Sequence, residues 1–157
     1  MTVRELSRRD GKSIILHRWL AAWIDFAVFW IILILAELLL GAELYQRTLW
    51  LWLLVGLGYY AATEALTGQT IGKKIVGLKV VDEDGQTPNW AQAIKRTVTR
   101  ILEVNPVGGG LLAALIVVLT QDRQRLGDLW ADTFVVRVDA LEKARAEEVP
   151  SAAVSAG

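Results

Sequence analysis

The chain has 157 residues, 54% hydrophobic and 22% charged, with a mean hydropathy of +0.37. That length suits one domain, and its apolar residues are gathered into blocks rather than spread at core spacing, which points to a membrane protein. Seventeen Lys and Arg balance seventeen Asp and Glu, so the clustered positive charge that nucleic-acid binding requires is missing, while zero Cys and one His exclude disulfides, thiolate chemistry and multi-His metal sites.

Residues 1–17 form a basic N-terminal flank with Arg4, Arg8, Arg9 and Lys12. The first apolar block, Arg18 to Leu40, reaches about 34 Å as a helix, enough to cross a ~30 Å hydrocarbon core. Its length and its internal acid argue for a signal anchor rather than a cleaved signal peptide. A second block, 48–66, reaches about 28 Å and carries one charge, Glu64, near its end. The link Gly41 to Arg47 is too short for a domain, so the two spans form a tight antiparallel hairpin. Basic residues flank its open end (Lys73, Lys74, Lys79, Lys95 and Arg96 follow the second span) whereas the link holds only Arg47. The positive-inside rule therefore puts the N-terminus and the loop 67–87 in the cytoplasm. Trp19 and Trp23 at one end and Trp50 and Trp52 at the other suit the two interfaces. Gly56 and Gly58 could permit close helix contact but lack GxxxG spacing.

Within that loop, Gly68 to Lys74 resembles a phosphate loop but is not one: three residues, not four, separate Gly68 from Gly72, and Lys74 stands where Ser or Thr would hold Mg²⁺. A turn with basic residues at the headgroups is the reading. Lys74 to Val81 is β-branched and ends in the turn Asp82-Glu83-Asp84-Gly85, giving a short strand. Thr133 to Val138 is the other strand-like run, and the two are expected to pair because an isolated strand leaves its backbone unsatisfied.

Thr87-Pro88 predicts an N-cap and first position for an amphipathic helix over 88–104. Trp90, Ile94, Val98, Ile101 and Leu102 lie on one face, and Gln92, Lys95, Arg96, Thr99, Arg100 and Glu103 mainly on the other. Such a helix lies in the interface with Lys95 and Arg96 toward anionic headgroups, the placement of Arg100 being open. A hydrophobic segment over 101–120 follows, broken at Asn105-Pro106. It is either a kinked span or a re-entrant element, and three full spans would be incompatible with strand pairing. Residues 139–157 read as a disordered tail.

Asp25 stands about 10 Å inside the first span, where an unpaired carboxylate is costly, so it requires a partner or a proton. Arg18 lies seven positions earlier on the same face, too far along the axis to pair with it directly. Arg100 is a candidate counter-charge for Asp25. The plainer alternative has Arg18 anchoring the helix to headgroups and Asp25 neutralised by one helix-packing hydrogen bond. His17, the only imidazole, reads as an interface residue, and nothing suggests a catalytic triad or an enzyme.

Arg18 and Asp25, the stretch Gly68-x-Thr70-x-Gly72-Lys73-Lys74-x-x-x-Gly77-Leu78-x-Val80-Val81, and Arg125 through Val136 (RLGDLWADTFVV) together resemble the RDD family of membrane proteins across residues 10–138. The resemblance assigns the family's Arg and two Asp to Arg18, Asp25 and Asp128; Arg100, Glu64 and Lys73 are candidate accessory charges from the residues themselves. Gly127 stands where many members have His, and Lys74 where Arg is common. The residues predict an all-α membrane protein with a small two-stranded β element, and the resemblance implies a small bacterial inner-membrane protein with an RDD-like membrane domain over 18–138. Transport, including cation/proton exchange, is proposed for some members. Two spans enclose no pathway alone, so a transporter would form a homo-oligomer. The expected partners are the lipid bilayer and a cation or proton, without a cofactor, metal or nucleic acid. The rival class is a non-transporting membrane scaffold whose intramembrane charges lock helices together, with Asp128 a helix or turn cap in the plainer reading.

Overall fold

A computed structural model describes residues 2–9, 11–103, 120 and 124–154. It is mostly helical, with a two-stranded antiparallel sheet. Helix α1 (Val3–Arg9) opens with a reciprocal cap in which the Thr2 amide donates to Glu5 Oε2 at 2.8 Å and the Glu5 amide to Thr2 Oγ1 at 3.4 Å. Two long helices follow, α2 (Gly11–Leu40) and α3 (Ala42–Thr67). Ser13–Leu40 and Ala42–Thr67 are each long and apolar enough to cross a membrane, and only 11% of the most apolar stretch of either is buried. Their apolar side chains are therefore mostly exposed on the described fold.

Both helices outrun the spans expected from hydropathy, and the expected link Gly41–Arg47 shrinks to Gly41, whose positive φ of 76° turns the chain. The residues after it are helix formers, and Arg47 pairs with Glu43 one turn back at 2.7 Å. Hydropathy reports where apolar side chains lie, not where backbone hydrogen bonds stop. The α3 helix ends at Gly68, a left-handed cap (φ 73°) whose amide donates to the Glu64 carbonyl. Of the two glycines in α3, Gly56 lies against the Phe29 ring of α2, whereas Gly58 faces open space.

The short helix α4 (Ile71–Ile75) leads into β1 (Leu78–Asp82). The expected turn follows: Asp82 Oδ1 accepts from the amides of Asp84 and Gln86 at 3.0 and 2.8 Å, and Gly85 adopts φ 74°. Helix α5 (Trp90–Glu103) begins after Asn89 rather than at Pro88, because Asn89 and Gln92 cap each other through two 2.9 Å bonds. The hydrophobic segment expected over 101–120 lies outside the described residues beyond Glu103, save Thr120. Helix α6 (Leu126–Trp130) precedes β2 (Thr133–Arg137), and the strand pairing expected from sequence is present, with Val80 opposite Val135.

Two regions depart from expectation. The N-terminal flank is not a bare basic segment, because α1 packs on the sheet with Leu6 in a core of Val81, Phe134, Val136, Leu141 and Ala144. The tail read as disordered is helical from Val138 to Val154 (α7), and Leu141 and Ala144 give it a buried stripe of two that composition alone conceals.

The amphipathic helix α5 is turned the opposite way from expectation. Its Trp90, Ile94, Val98 and Ile101 are exposed, and its Arg96, Thr97 and Thr99 are buried. Lys95 keeps a partly exposed position over the Trp130 ring, but Arg96 does not reach outward to headgroups. The cause is the set of acids on α3 and α6 that the polar face meets.

Candidate functional site

The last turn of α3 places Glu64 against three cations. The Lys73 ammonium of α4 lies 2.5 Å from Oε1, Arg96 Nε of α5 lies 2.7 Å from Oε2, and Arg100 Nη2, one turn further along α5, lies 3.1 Å from Oε1. Arg100 also stacks on the Tyr60 ring at 3.8 Å. Arg96 continues through Nη1 to Asp128 of α6 and to Thr133 Oγ1 of β2, the latter at 2.6 Å. Asp128 in turn accepts from Arg18 of α2 and from the Arg125 amide at 3.0 Å, capping α6, while Arg125 Nε stands 3.6 Å away. Arg96, Glu64 and Asp128 are all 0% exposed. The result is a buried ionic cage joining α2, α3, α4, α5, α6 and β2.

Burial alone would push the Arg96 guanidinium toward losing its proton, but the Asp128 and Glu64 carboxylates outweigh it and hold the group above its ordinary value. Burial would likewise raise Asp128, and Arg18, Arg96 and Arg125 overcome that and hold it well below the usual carboxylate range. Burial depresses Lys73 to about 7, with Arg96, Arg100 and Arg125 adding to the effect and Glu64 opposing it.

A second, separate constellation surrounds Asp25. Its carboxylate accepts from the Thr70 hydroxyl at 2.5 Å, from the Gly72 amide at 2.8 Å and from the Tyr59 hydroxyl at 3.2 Å. Both hydroxyls also receive a bond from α4: the Ile71 amide donates to Tyr59 at 2.8 Å and the Lys73 amide to Thr70 at 3.3 Å. Close approach of backbone makes this possible, because a Cβ at Gly72 would collide with the Ala21 carbonyl of α2 and come within 3.0 Å of the Asp25 carboxyl carbon. Asp25 is 4% exposed, and its partners among the described residues are neutral. Gly68 to Lys74 is thus a helix cap followed by one helical turn wrapped on a carboxylate, in keeping with rejection of a phosphate loop.

Comparison with known proteins bears on the three charges Arg18, Asp25 and Asp128. The RDD family model matches residues 14–132. The chain belongs to the RDD family. Neither the curated proteins nor the solved structures include a match. Of the three residues that the RDD resemblance singles out, the structure joins Arg18 to Asp128 and leaves Asp25 in a different nest. A single three-residue site is therefore corrected to two neighbouring ones. Arg100 is not the counter-charge of Asp25, since it is committed to Glu64 and Tyr60. The accessory residues Glu64 and Lys73 are partners of one another. His17 bonds within its own helix, its Nδ1 lying 2.7 Å from the Ser13 carbonyl.

Sequence reasoning missed Arg96, the residue that bridges Glu64 to Asp128, as well as Tyr59, Thr70, Gly72, Arg125 and Thr133. The signal for Arg96 was present in the strong segregation of α5, because Arg96 and Arg100 are one turn apart on a face with Ala93 and Thr97, residues small enough to let another element approach. The departure at Gly127 also has a physical reason in this RDD protein. A Cβ there would coincide with Thr99 Oγ1 of α5, so a larger residue requires a different helix contact.

Proposed function

We propose that this RDD protein is a multi-pass subunit of a cation/proton exchanger in a bacterial inner membrane, with Asp25 as the carboxylate that trades a proton for a small cation. The RDD domain and the two long apolar helices support membrane residence. In this reading α2 and α3 cross the bilayer as a hairpin, both chain ends and the sheet lie in the cytoplasm, and the exposed apolar face of α5 meets lipid. A second copy of the chain completes the pathway that one hairpin cannot enclose.

One contrast carries the transport reading. Glu64 and Asp128 each accept from several cations, whereas Asp25 is buried within an apolar helix and held by neutral hydroxyl and amide donors. A carboxylate held by neutral donors has no cationic side chain to displace among the described residues, which leaves it open to a small cation or a proton. The two hydroxyl oxygens can turn to offer lone pairs to a hard cation, which takes oxygen ligands. The ionic cage then serves as the rigid frame that holds α4 over Asp25.

Purified protein in liposomes with an internal pH dye tests this. We expect sodium, potassium or lithium gradients to drive proton movement, and Asp25→Asn to abolish it while the protein remains inserted and abundant. Absence of flux with all three cations, or flux unaltered in Asp25→Asn, eliminates the transport reading. The scaffold reading would then stand, favoured by the saturation of Arg18 and Asp128, which join α2 to α6.

The orientation has its own check. The chain has no Cys, so single cysteines at Asp84, Glu142 and Arg47 can be labelled in intact cells by an impermeant maleimide. Strand pairing requires the first two to share a compartment, because β1 and β2 are hydrogen-bonded neighbours. Both are expected to be protected from outside and Arg47→Cys to be labelled.

A further inference from the structure

The side of α2 turned away from Asp25 carries four large aromatic rings. Trp19, Trp23, Phe26 and Trp30 stack in succession, their centroids 6.1, 6.0 and 5.8 Å apart in tilted and edge-to-face contacts. All four are between 48% and 58% exposed, so they form a ridge about 17 Å long that stands proud of the helix. Asp25 and Arg18 reach the other way, to α3, α4 and α6, and the ridge belongs to neither of the sites described above.

Its spacing identifies what it packs against. The four rings follow one another at steps of four, three and four residues, and Leu16 and Leu33 extend the series by a step of three at either end. Positions 16, 23 and 30 and positions 19, 26 and 33 are thus two interleaved heptad series, the seam along which one helix packs on another as knobs into holes. The exposed residues on its two flanks, Ala22 and Ala27, are small, which leaves room for the knobs of a facing helix. Acyl chains conform to any apolar surface and call for no such alternation of size. Depth argues the same way. With α2 across the bilayer, Trp30 stands about 18 Å beyond Arg18, deep in a ~30 Å hydrocarbon core and away from the interfaces where tryptophan is favoured.

We propose that this ridge is the self-association face of the protein: the α2 helices of two copies pack side by side along Leu16–Leu33, parallel and about a twofold axis. Copies of one chain insert in the same direction, so each seam residue meets its own counterpart. The heptad period makes the crossing left-handed, at about 20°. The next position of the series is Glu37, three residues from the end of α2, where the pair parts and both carboxylates reach water. The pairing supplies the second copy that the exchange reading calls for, but it needs only that α2 lies in a bilayer.

A single cysteine in this Cys-free chain can form a disulfide only between two copies, which makes the seam directly readable. Full-length Trp23→Cys, Phe26→Cys, Trp30→Cys and Leu33→Cys, oxidised in native membranes with copper phenanthroline, should each run as a covalent dimer on a non-reducing gel. Leu20→Cys and Ile31→Cys, 52% and 58% exposed but off the seam, should stay monomeric. Leu33→Cys keeps every ring and so reports the pairing even where loss of a ring weakens it. In a second measurement, energy transfer between donor- and acceptor-labelled protein is followed on dilution with lipid. There Phe26→Ala/Trp30→Ala should dissociate at about tenfold higher protein density than the native chain, the size expected for two lost aromatic contacts, and Leu20→Ala/Ile31→Ala at the native density. Crosslinking at none of the seam positions overturns the proposal and leaves the ridge to lipid or to the same chain. Equal crosslinking at seam and off-seam positions also overturns it, as the mark of random collision. Seam crosslinks without cation-driven flux would keep the pairing and remove the exchange reading, and flux without seam crosslinks would remove the pairing alone.

Discussion

Arg96→Met is expected to destabilise the folded protein by about 3–5 kcal/mol, the range for removing one member of a buried ionic group and leaving its partners uncompensated. The size of the effect comes from what Arg96 joins. Its Nε serves Glu64 and its Nη1 serves both Asp128 and Thr133, so one deletion strips donors from two fully buried carboxylates and a buried hydroxyl on three different elements. Arg96→Lys should recover little, because a point ammonium cannot reach two acids with the fork of a guanidinium. The neighbouring Lys95→Met provides the contrast: Lys95 is partly exposed over Trp130, and its loss should fall within about 0.5 kcal/mol of neutral. Urea unfolding in detergent, followed by tryptophan fluorescence, measures all three. Arg96→Met within 1 kcal/mol of the native protein would mean that the cage does not hold the fold together.

Gly72→Ala is the second large effect. On a solvent-exposed helix a glycine-to-alanine change stabilises by about 0.5–1 kcal/mol, yet here it should cost about 1–3 kcal/mol, the range for overpacking. The added methyl meets the Ala21 carbonyl, which is backbone of α2 and cannot swing aside as a side chain would, and it crowds the Asp25 carboxylate. Relief requires α4 to move away from α2, which removes the Gly72 amide from Asp25. Gly58→Ala in α3 meets nothing within 4 Å and should be neutral or slightly stabilising, as a control for helix propensity. The same unfolding assay compares them, and protection of the 68–77 amides in Gly72→Ala should fall together with its stability. Equal effects of the two substitutions would show that α4 does not seat on α2 as described.

Much of the architecture was legible in the sequence because it depends on local composition. The two apolar blocks, the β-branched runs 74–81 and 133–138, and the Asp82–Gly85 turn are all short-range signals, and helices, strands and turn follow them, except that Lys74 and Ile75 belong to α4, whose helical turn the Thr70 cap starts, and Val138 opens α7. Asp25 and Asp128 were also legible as unusual residues, the first by its cost inside an apolar helix and the second through the family motif. What spacing could not supply was partner identity. The pairs Arg18 with Asp128 and Arg96 with Glu64 are separated by 110 and 32 positions, and no helical period links residues on different elements.

The case of α5 shows the division most directly. Its amphipathic pattern was unmistakable, but a pattern states only that two faces differ, not which of them is buried. In a common amphipathic helix the apolar face turns inward. Here Glu64 and Asp128 already wait inside, and burying them without cations costs more than exposing Trp90 and Ile94, so the charged face turns in. The sequence by itself determined the two apolar helices, the strand pair and the family. Only the tertiary structure decided that Asp25 stands apart from the ionic cage, because which donors reach a carboxylate depends on how α4 folds back over α2, a contact between residues 45 to 47 positions apart.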